Sequence, residues 1–247
     1  MNWKSNCAAI IPCYNEAENI SKVVGAVKNF LPQIIVVDDG STDTTAGLAK
    51  NSGATILSLN RNSGKGAALR AGWKLASELG FGWILMLDGD GQHSADDIPD
   101  FFGCAENSGA KLVVGNRMNN PGAMPWLRRK INSFMSRRLS ELTGVRLPDS
   151  QCGFRLAHLD TLLHLPIAVN RFEIESEMLV AFLDAREKIE FVSVQTIYKN
   201  HASKIRPCAD TLRWLRWRLA QAGKIPLGRT AFEKHPATIE NGIAAKI

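Results

Sequence analysis

The chain predicts an α/β fold: a single domain with a mostly parallel central sheet and helices on both faces. Two observations carry this. Short apolar or β-branched runs alternate with helix-length segments through the first half, and each distinctive polar cluster follows directly on one of those runs. Alternating strands and helices are the rhythm of βαβ units, whose buried strands read as apolar runs because both faces are covered. Size agrees, since 247 residues that are 45% hydrophobic and 22% charged make one large domain and are too globular for disorder.

Taken in order, the first strand is Ala8–Ile11 and ends in PCYNE (Pro12–Glu16). The second, Ile34–Val37, ends in DDGSTD (Asp38–Asp43), and the third, Thr55–Leu59, in NRNSGKG (Asn60–Gly66). The fourth, Trp83–Leu87, runs into DGDGQH (Asp88–His93), and the fifth, Lys111–Val114, into GNR (Gly115–Arg117). Ligands of such sheets bind outside the carboxyl ends of the strands, so these clusters converge on one edge. The second half changes character. Pro125–Gly144 reads as a basic amphipathic helix, Thr161–Leu165 as a short apolar segment, Phe172–Met178 (FEIESEM) as an acidic stretch, Phe191–Tyr198 as a strand and Ala209–Ala222 as a last helix. Residues 1–225 are assigned to the domain and 226–247 to a C-terminal tail with little periodicity.

Composition excludes several classes. No run approaches the roughly 18 to 20 apolar residues of a membrane span, and neither a transmembrane helix nor a signal peptide is expected. Five scattered cysteines without a CxxC pair suggest reduced thiols in a cytosolic compartment and no zinc site. The formal charge of +6 suggests an anionic partner. Nucleic acid is disfavoured, because no zinc-finger, RNP or helix-turn-helix signature accompanies the charge.

The sharpest chemistry is in DGDGQH. Asp88 and Asp90, two positions apart, repel unless a cation joins them, and Mg²⁺ or Mn²⁺ typically takes one or two carboxylates and fills its shell with water and phosphate oxygens. Gln92 would add an oxygen. An EF-hand would need glutamate where Pro99 stands. A DxD phosphatase would carry this motif on its first strand with a threonine after it; here it follows the fourth, and Gly91-Gln92 come next. Asn60–Gly72 is not a Walker loop, since Leu59 and Gly66 stand where glycine and Ser/Thr are required, but a helix start beside Lys65 would still attract a diphosphate.

Together, IPCYNE, DDGSTD, NxGKGxAxxxG, DGDGQH, GNR, DSQCGFR and FEIESEM resemble glycosyltransferase family 2, and more narrowly its dolichyl- or polyprenyl-phosphate mannosyl- and glucosyltransferase branch, over about residues 7–220. The resemblance implies a single GT-A nucleotide-sugar-binding domain and inverting transfer from a nucleoside-diphosphate sugar of the GDP-mannose or UDP-glucose type. By position, Pro12, Tyr14 and Glu16 would line the nucleoside pocket and Asp39 would read the base, while Asp38 braces its loop. Asp88, Asp90 and Gln92 would hold Mg²⁺ or Mn²⁺ on the diphosphate with Lys65 nearby, and Arg117 would face phosphates. Ser203 and Lys204 look like phosphate contacts, although Tyr198 and His201 depart from the Arg and Gly of that branch.

A hydroxyl acceptor would need a general base, for which Asp149, Glu175 or Glu177 are candidates. A lipid-phosphate acceptor would need none, and Arg117, Arg128 and Arg129 would position it instead. Two basic amphipathic stretches, near 125–143 with Trp126 and 209–222 with Trp214 and Trp217, have the composition of interfacial helices and point to peripheral contact with the cytosolic face of a membrane. A soluble transferase acting on a hydroxyl, or a membrane-surface binding module without catalysis, are the competing expectations.

Overall fold

A computed structural model describes residues 1–119, 121–122, 124–197 and 207–222, with the backbone alone at 207–210 and 221–222. A one-turn helix α1 (Trp3–Asn6) leads into β1 (Cys7–Cys13), α2 (Ile20–Lys28), β2 (Ile34–Asp38), α3 (Thr45–Asn51), β3 (Thr55–Ser58), α4 (Lys65–Glu78) and β4 (Trp83–Met86). A 3₁₀ turn at Ala95–Asp97 precedes α5 (Ile98–Ser108), β5 (Leu112–Asn116), α6 (Trp126–Thr143), β6 (Arg155–His158), α7 (Leu159–His164), α8 (Ile174–Asp184), β7 (Ile189–Ser193) and α9 (Pro207–Ala222). The five expected strands of the first half are all present.

The strands form one sheet in the order β3-β2-β1-β4-β6-β5-β7. β1 pairs in parallel with β2 and β4, and β2 with β3. β6 is antiparallel to both β4 and β5, so β5 regains the direction of β4, and β7 runs parallel to it. The carboxyl ends of β1 to β5 therefore share one edge, as expected. β6 is a strand beyond those expected, and β7 begins two residues before the strand expected at Phe191.

The central strands are apolar on both sides because helices cover both faces. Ala8, Ala9, Ile10 and Ile11 of β1 have no exposed surface, nor do Ile35, Val36 and Val37 of β2. The two basic helices behave differently from one another. α6 buries Met135 and Leu139 on the domain while Trp126 and Leu127 at its start are 69% and 49% exposed. In α9, Trp214 is 1% exposed and its indole N–H donates to Ser176 Oγ of α8 at 2.8 Å. The tryptophan expected at a bilayer surface thus anchors α9 to the domain, because an indole ring gains more from a dry pocket with a hydroxyl partner than from solvent. Among the described residues no helix is long and apolar enough to cross a membrane.

Candidate active site

Two loops at the carboxyl edge are laced together first. Asn15, held at a φ of 53°, accepts the Thr42 N–H on its Oδ1 at 2.9 Å. The backbone N–H groups of Asn15, Glu16 and Ala17 donate to Ser41 Oγ, Thr45 Oγ1 and Asp43 Oδ2 at 2.9, 2.7 and 3.2 Å. The small polar side chains of Ser41, Asp43 and Thr45 thus brace the loop after β1, leaving Tyr14 exposed and Pro12 and Glu16 half-buried. Asp38 accepts the Ser41 N–H at 3.2 Å, the bracing role expected of it. Asp39 is engaged as well: its two oxygens accept the N–H groups of Ser63 and Gly64 at 2.7 and 2.8 Å, which ties β2 to the start of α4. A nucleobase N–H would share those oxygens through their second lone pairs.

Asp88 and Asp90 emerge from the end of β4 as expected. Gly89 between them is required by close approach, since a Cβ there would stand 2.5 Å from Cys13 Sγ of β1. Lys65, at the first turn of α4, places its Nζ 2.5 Å from Asp88 Oδ1 and 2.6 Å from Glu175 Oε1 of α8. His93 Nε2 lies 3.6 Å from Asp88 Oδ2. Burial opposes the charge on Lys65, yet Asp88 and Glu175 outweigh it and raise its pKa above the ordinary lysine value. Asp88 is likewise held below the usual carboxylate range by Lys65 and His93 against the effect of burial. Asp90 accepts the Gln92 N–H at 3.0 Å, and Gln92 Oε1 accepts from Arg128 Nη1 at 3.1 Å.

These groups fit a hard divalent cation. Gly153 leaves a cradle beside Asp88, where a Cβ would come within 2.8 Å of Asp88 Oδ2 and 2.7 Å of Lys65 Nζ. Among the described residues no three His, Cys, Asp or Glu side chains converge into a cage. Two carboxylates and an amide oxygen suit an ion that takes the rest of its shell from substrate and water.

The remaining candidates are more enclosed than their motifs suggested. Arg117 and Asp149, 4% and 0% exposed, form a fork: Nε and Nη2 donate to Oδ2 and Oδ1 at 2.8 and 2.9 Å. Arg117 therefore closes on a carboxylate where it was expected to face phosphates. Glu177 accepts the N–H groups of Ala168 and Val169 at 2.9 and 3.0 Å and holds the segment before α8. That segment covers the start of α4, where Gly66 and Ala67 donate to Asn170 O at 2.8 and 3.3 Å. The helix start expected to meet a diphosphate through free N–H groups is thus capped by the chain, and Lys65 is what it offers. Arg129 is exposed on α6 beside Trp126 and Lys130, whereas Arg128 reaches the metal-site loop. Ser203 and Lys204, like Tyr198 and His201, lie outside the described residues.

Two contributors escaped the sequence reading. His93 ends the motif DGDGQH, whose spacing gives no sign that its ring comes to lie beside Asp88. Arg155, 1% exposed, donates to the carbonyls of Cys152, Ser150 and Glu175 at 2.8, 3.0 and 2.6 Å and so fastens the loop carrying Gly153 to the start of α8. The sequence gives little sign of it, since an arginine opening the four-residue segment RLAH reads as surface; once buried, its guanidinium needs several acceptors, and these carbonyls supply them.

Comparison with known proteins places the chain in a family. The family model described as Glycosyl transferase family 2 matches residues 8–179. The UDP-N-acetylglucosamine–dolichyl-phosphate N-acetylglucosaminyltransferase of Methanococcus voltae is 32% identical over 216 residues, which cover 78% of this chain and 86% of that protein. The polyprenol monophosphomannose synthase of Mycolicibacterium smegmatis is 32% identical over 164 residues, so that 62% of its length is spanned, and 62% of this chain. Glucosyl-3-phosphoglycerate synthase of Mycobacterium tuberculosis, in a crystal structure with Mn²⁺, uridine diphosphate and phosphoglyceric acid, aligns with a TM-score of 0.71 at 21% identity over 90% of this chain and 79% of that one. That likeness speaks for the fold, which is GT-A. With its motifs in order and on one sheet edge, the chain belongs to glycosyl transferase family 2.

Proposed function

We propose that the chain is a metal-dependent, inverting hexosyltransferase that moves a sugar from a nucleoside diphosphate to a polyprenyl or dolichyl phosphate at the cytosolic face of a membrane. The observation that carries the reading is the acid pair Asp88 and Asp90, half-buried at the end of β4, with Lys65 on Asp88. Asp88, Asp90 and Gln92 would hold Mg²⁺ or Mn²⁺, which supplies Lewis-acid charge beside the leaving diphosphate. Lys65 adds a second positive charge beside the same place, where negative charge develops as the sugar–phosphate bond breaks. The loops around Pro12, Tyr14, Glu16 and Asp39 are the proposed nucleoside contacts.

The choice of acceptor rests on the carboxylates. Asp149 is buried and would be raised by that burial, but Arg117 outweighs it and keeps its carboxyl below the usual range, which makes it a weak base. Glu175 gives one oxygen to Lys65. A phosphate acceptor arrives already anionic and needs neither, and Arg128, Arg129 and Lys130 at the start of α6 suit its recognition. The relatives that act on dolichyl phosphate and form polyprenol monophosphomannose favour the same acceptor class. They differ in sugar, so a panel of GDP- and UDP-hexoses is the substrate set to test. The assay incubates protein, Mn²⁺, labelled donor and polyprenyl phosphate, then extracts with organic solvent. Label moving into the organic phase, with Asp90→Ala at least about a hundredfold slower, is the expected result. Label that stays in water with added glycans glycosylated instead would favour the hydroxyl-acceptor alternative, and an Asp90→Ala variant of full activity would end the metal mechanism.

A further inference from the structure

The Lys65 ammonium occupies the place where a cation is wanted. Its Nζ lies 2.5 Å from Asp88 Oδ1, on the carboxylate proposed to hold the metal, and its side chain is 12% exposed. A divalent ion on the same carboxylate would be brought within a few ångströms of the ammonium, and like charges so close repel. Glu175 offers the alternative seat. One of its oxygens receives Lys65 at 2.6 Å, and the other, Oε2, is buried with no hydrogen-bond partner. A buried carboxylate oxygen without a donor is costly, and a lysine ammonium has three N–H donors to distribute. Gly153 is what admits the ammonium at this spot, since a Cβ there would stand 2.7 Å from Nζ and 2.8 Å from Asp88 Oδ2.

Resting on the transferase reading above, we infer that Lys65 is a resident counter-ion of Asp88 that exchanges for the divalent metal, and that Glu175 is the positioning residue that keeps it within reach while it does so. In the absence of metal, Lys65 neutralises Asp88. With metal and nucleoside diphosphate both bound, Lys65 would give up Asp88 to the ion, stay tethered to Glu175, and turn its released donor to the phosphates. The exchange makes metal and nucleotide bind cooperatively, because each supplies the charge that the other displaces, and such coupling is reciprocal by linkage. It also gives the buried Glu175 a part that needs no proton transfer.

Binding measurements on the full chain test this without an activity assay. Mn²⁺ affinity is read from the electron paramagnetic resonance of free ion, and GDP and UDP affinities from calorimetry with and without Mn²⁺. In Lys65→Met, Mn²⁺ alone is expected to bind about tenfold more tightly, nucleotide without metal within about twofold of wild type, and the gain in nucleotide affinity on adding Mn²⁺ to shrink about tenfold. Glu175→Gln is expected to move the first quantity the other way, since Lys65 then rests on Asp88 alone. If Lys65→Met does not fold, Lys65→Met/Glu175→Gln, which leaves the local net charge unchanged, carries the same expectation of lost coupling. Equal weakening of nucleotide binding with and without Mn²⁺ would mean that Lys65 sits on phosphate throughout, and unchanged Mn²⁺ affinity would mean that it never competes; either overturns the exchange while leaving the transferase reading intact. A wild-type chain that binds neither nucleotide in the presence of Mn²⁺ overturns both.

Discussion

Gly153 shows how a residue without a side chain shapes the site. A methyl there would stand 2.7 Å from Lys65 Nζ and 2.8 Å from Asp88 Oδ2, distances no carbon tolerates against fixed neighbours. Its backbone angle is ordinary, so the demand is for space and alanine meets no conformational penalty of the left-handed kind. Gly153→Ala is therefore expected to keep the fold, with a melting temperature within a few degrees of wild type, while transfer falls at least about tenfold as Lys65 and Asp88 are pushed apart. Circular dichroism melts and the transfer assay on one preparation check this; an alanine variant of full activity would show that the ion pair has slack. Spacing cannot reveal this demand. DGDGQH announces a metal site because both carboxylates fall within three residues, but Lys65, Asp88, Gly153 and Glu175 come from four separate segments and meet only through the order of the strands. The same limit applies to Asp39 and Arg117, whose motifs marked them as site residues but gave no sign that Ser63, Gly64 and Asp149 would occupy their polar atoms.

Among the elements, α6 and α9 look alike in sequence and serve different ends. Both mix tryptophan with arginine, yet α9 turns Trp214 inward against Ser176 while α6 leaves Trp126 and Leu127 exposed next to Arg129 and Lys130. The parts legible beforehand were those with strong periodicity or long apolar runs: the first five strands and both basic helices. β6 was missed because RLAH is four residues long, has no alternation, and begins with a buried arginine that reads as surface. β7 was displaced because its residues are only half-buried at the sheet edge, which weakens the pattern that sets strand limits. The contrast between the helices is open to measurement. Trp214→Phe removes one buried hydrogen bond and is expected to cost about 1 kcal/mol, and Trp214→Ala about 3–5 kcal/mol through the cavity it leaves. Trp126→Ser with Leu127→Ser should leave denaturant midpoints unchanged and weaken co-sedimentation with vesicles containing anionic lipid, by about fivefold or more given the apolar area withdrawn from the interface. Loss of vesicle binding from Trp214→Phe, with none from the Trp126 and Leu127 pair, would reverse the assignment.

For the whole molecule, the buried ion pairs set the response to acid. Burial alone would raise the Asp149 carboxyl, but Arg117 outweighs it and holds the folded-state pKa below the ordinary 3.8. A carboxylate depressed in this way stabilises the fold at every pH above its ordinary value, and the contribution is lost as pH falls through the folded pKa, where the native state must also take up the proton. Asp88, held low by Lys65 and His93, acts in the same sense. His158 begins its effect earlier. Burial and then Lys111 keep its imidazole below the ordinary 6.5, so the unfolded chain binds that proton first and stability declines as pH drops below 6.5. Asp97 opposes these, because burial raises its carboxyl and the fold gains as it protonates. Melting temperature is therefore expected to slope gently downward below about pH 6.5 and more steeply below about pH 4. Asp149→Asn separates the terms. It strands a buried Arg117 and should lower the neutral-pH stability by about 3–5 kcal/mol, yet its acid limb should be shallower than that of wild type, since one depressed carboxylate is gone. If the variant and the wild type lose stability in parallel below pH 4, Arg117 does not hold Asp149 ionised, and the argument against Asp149 as a general base falls with it.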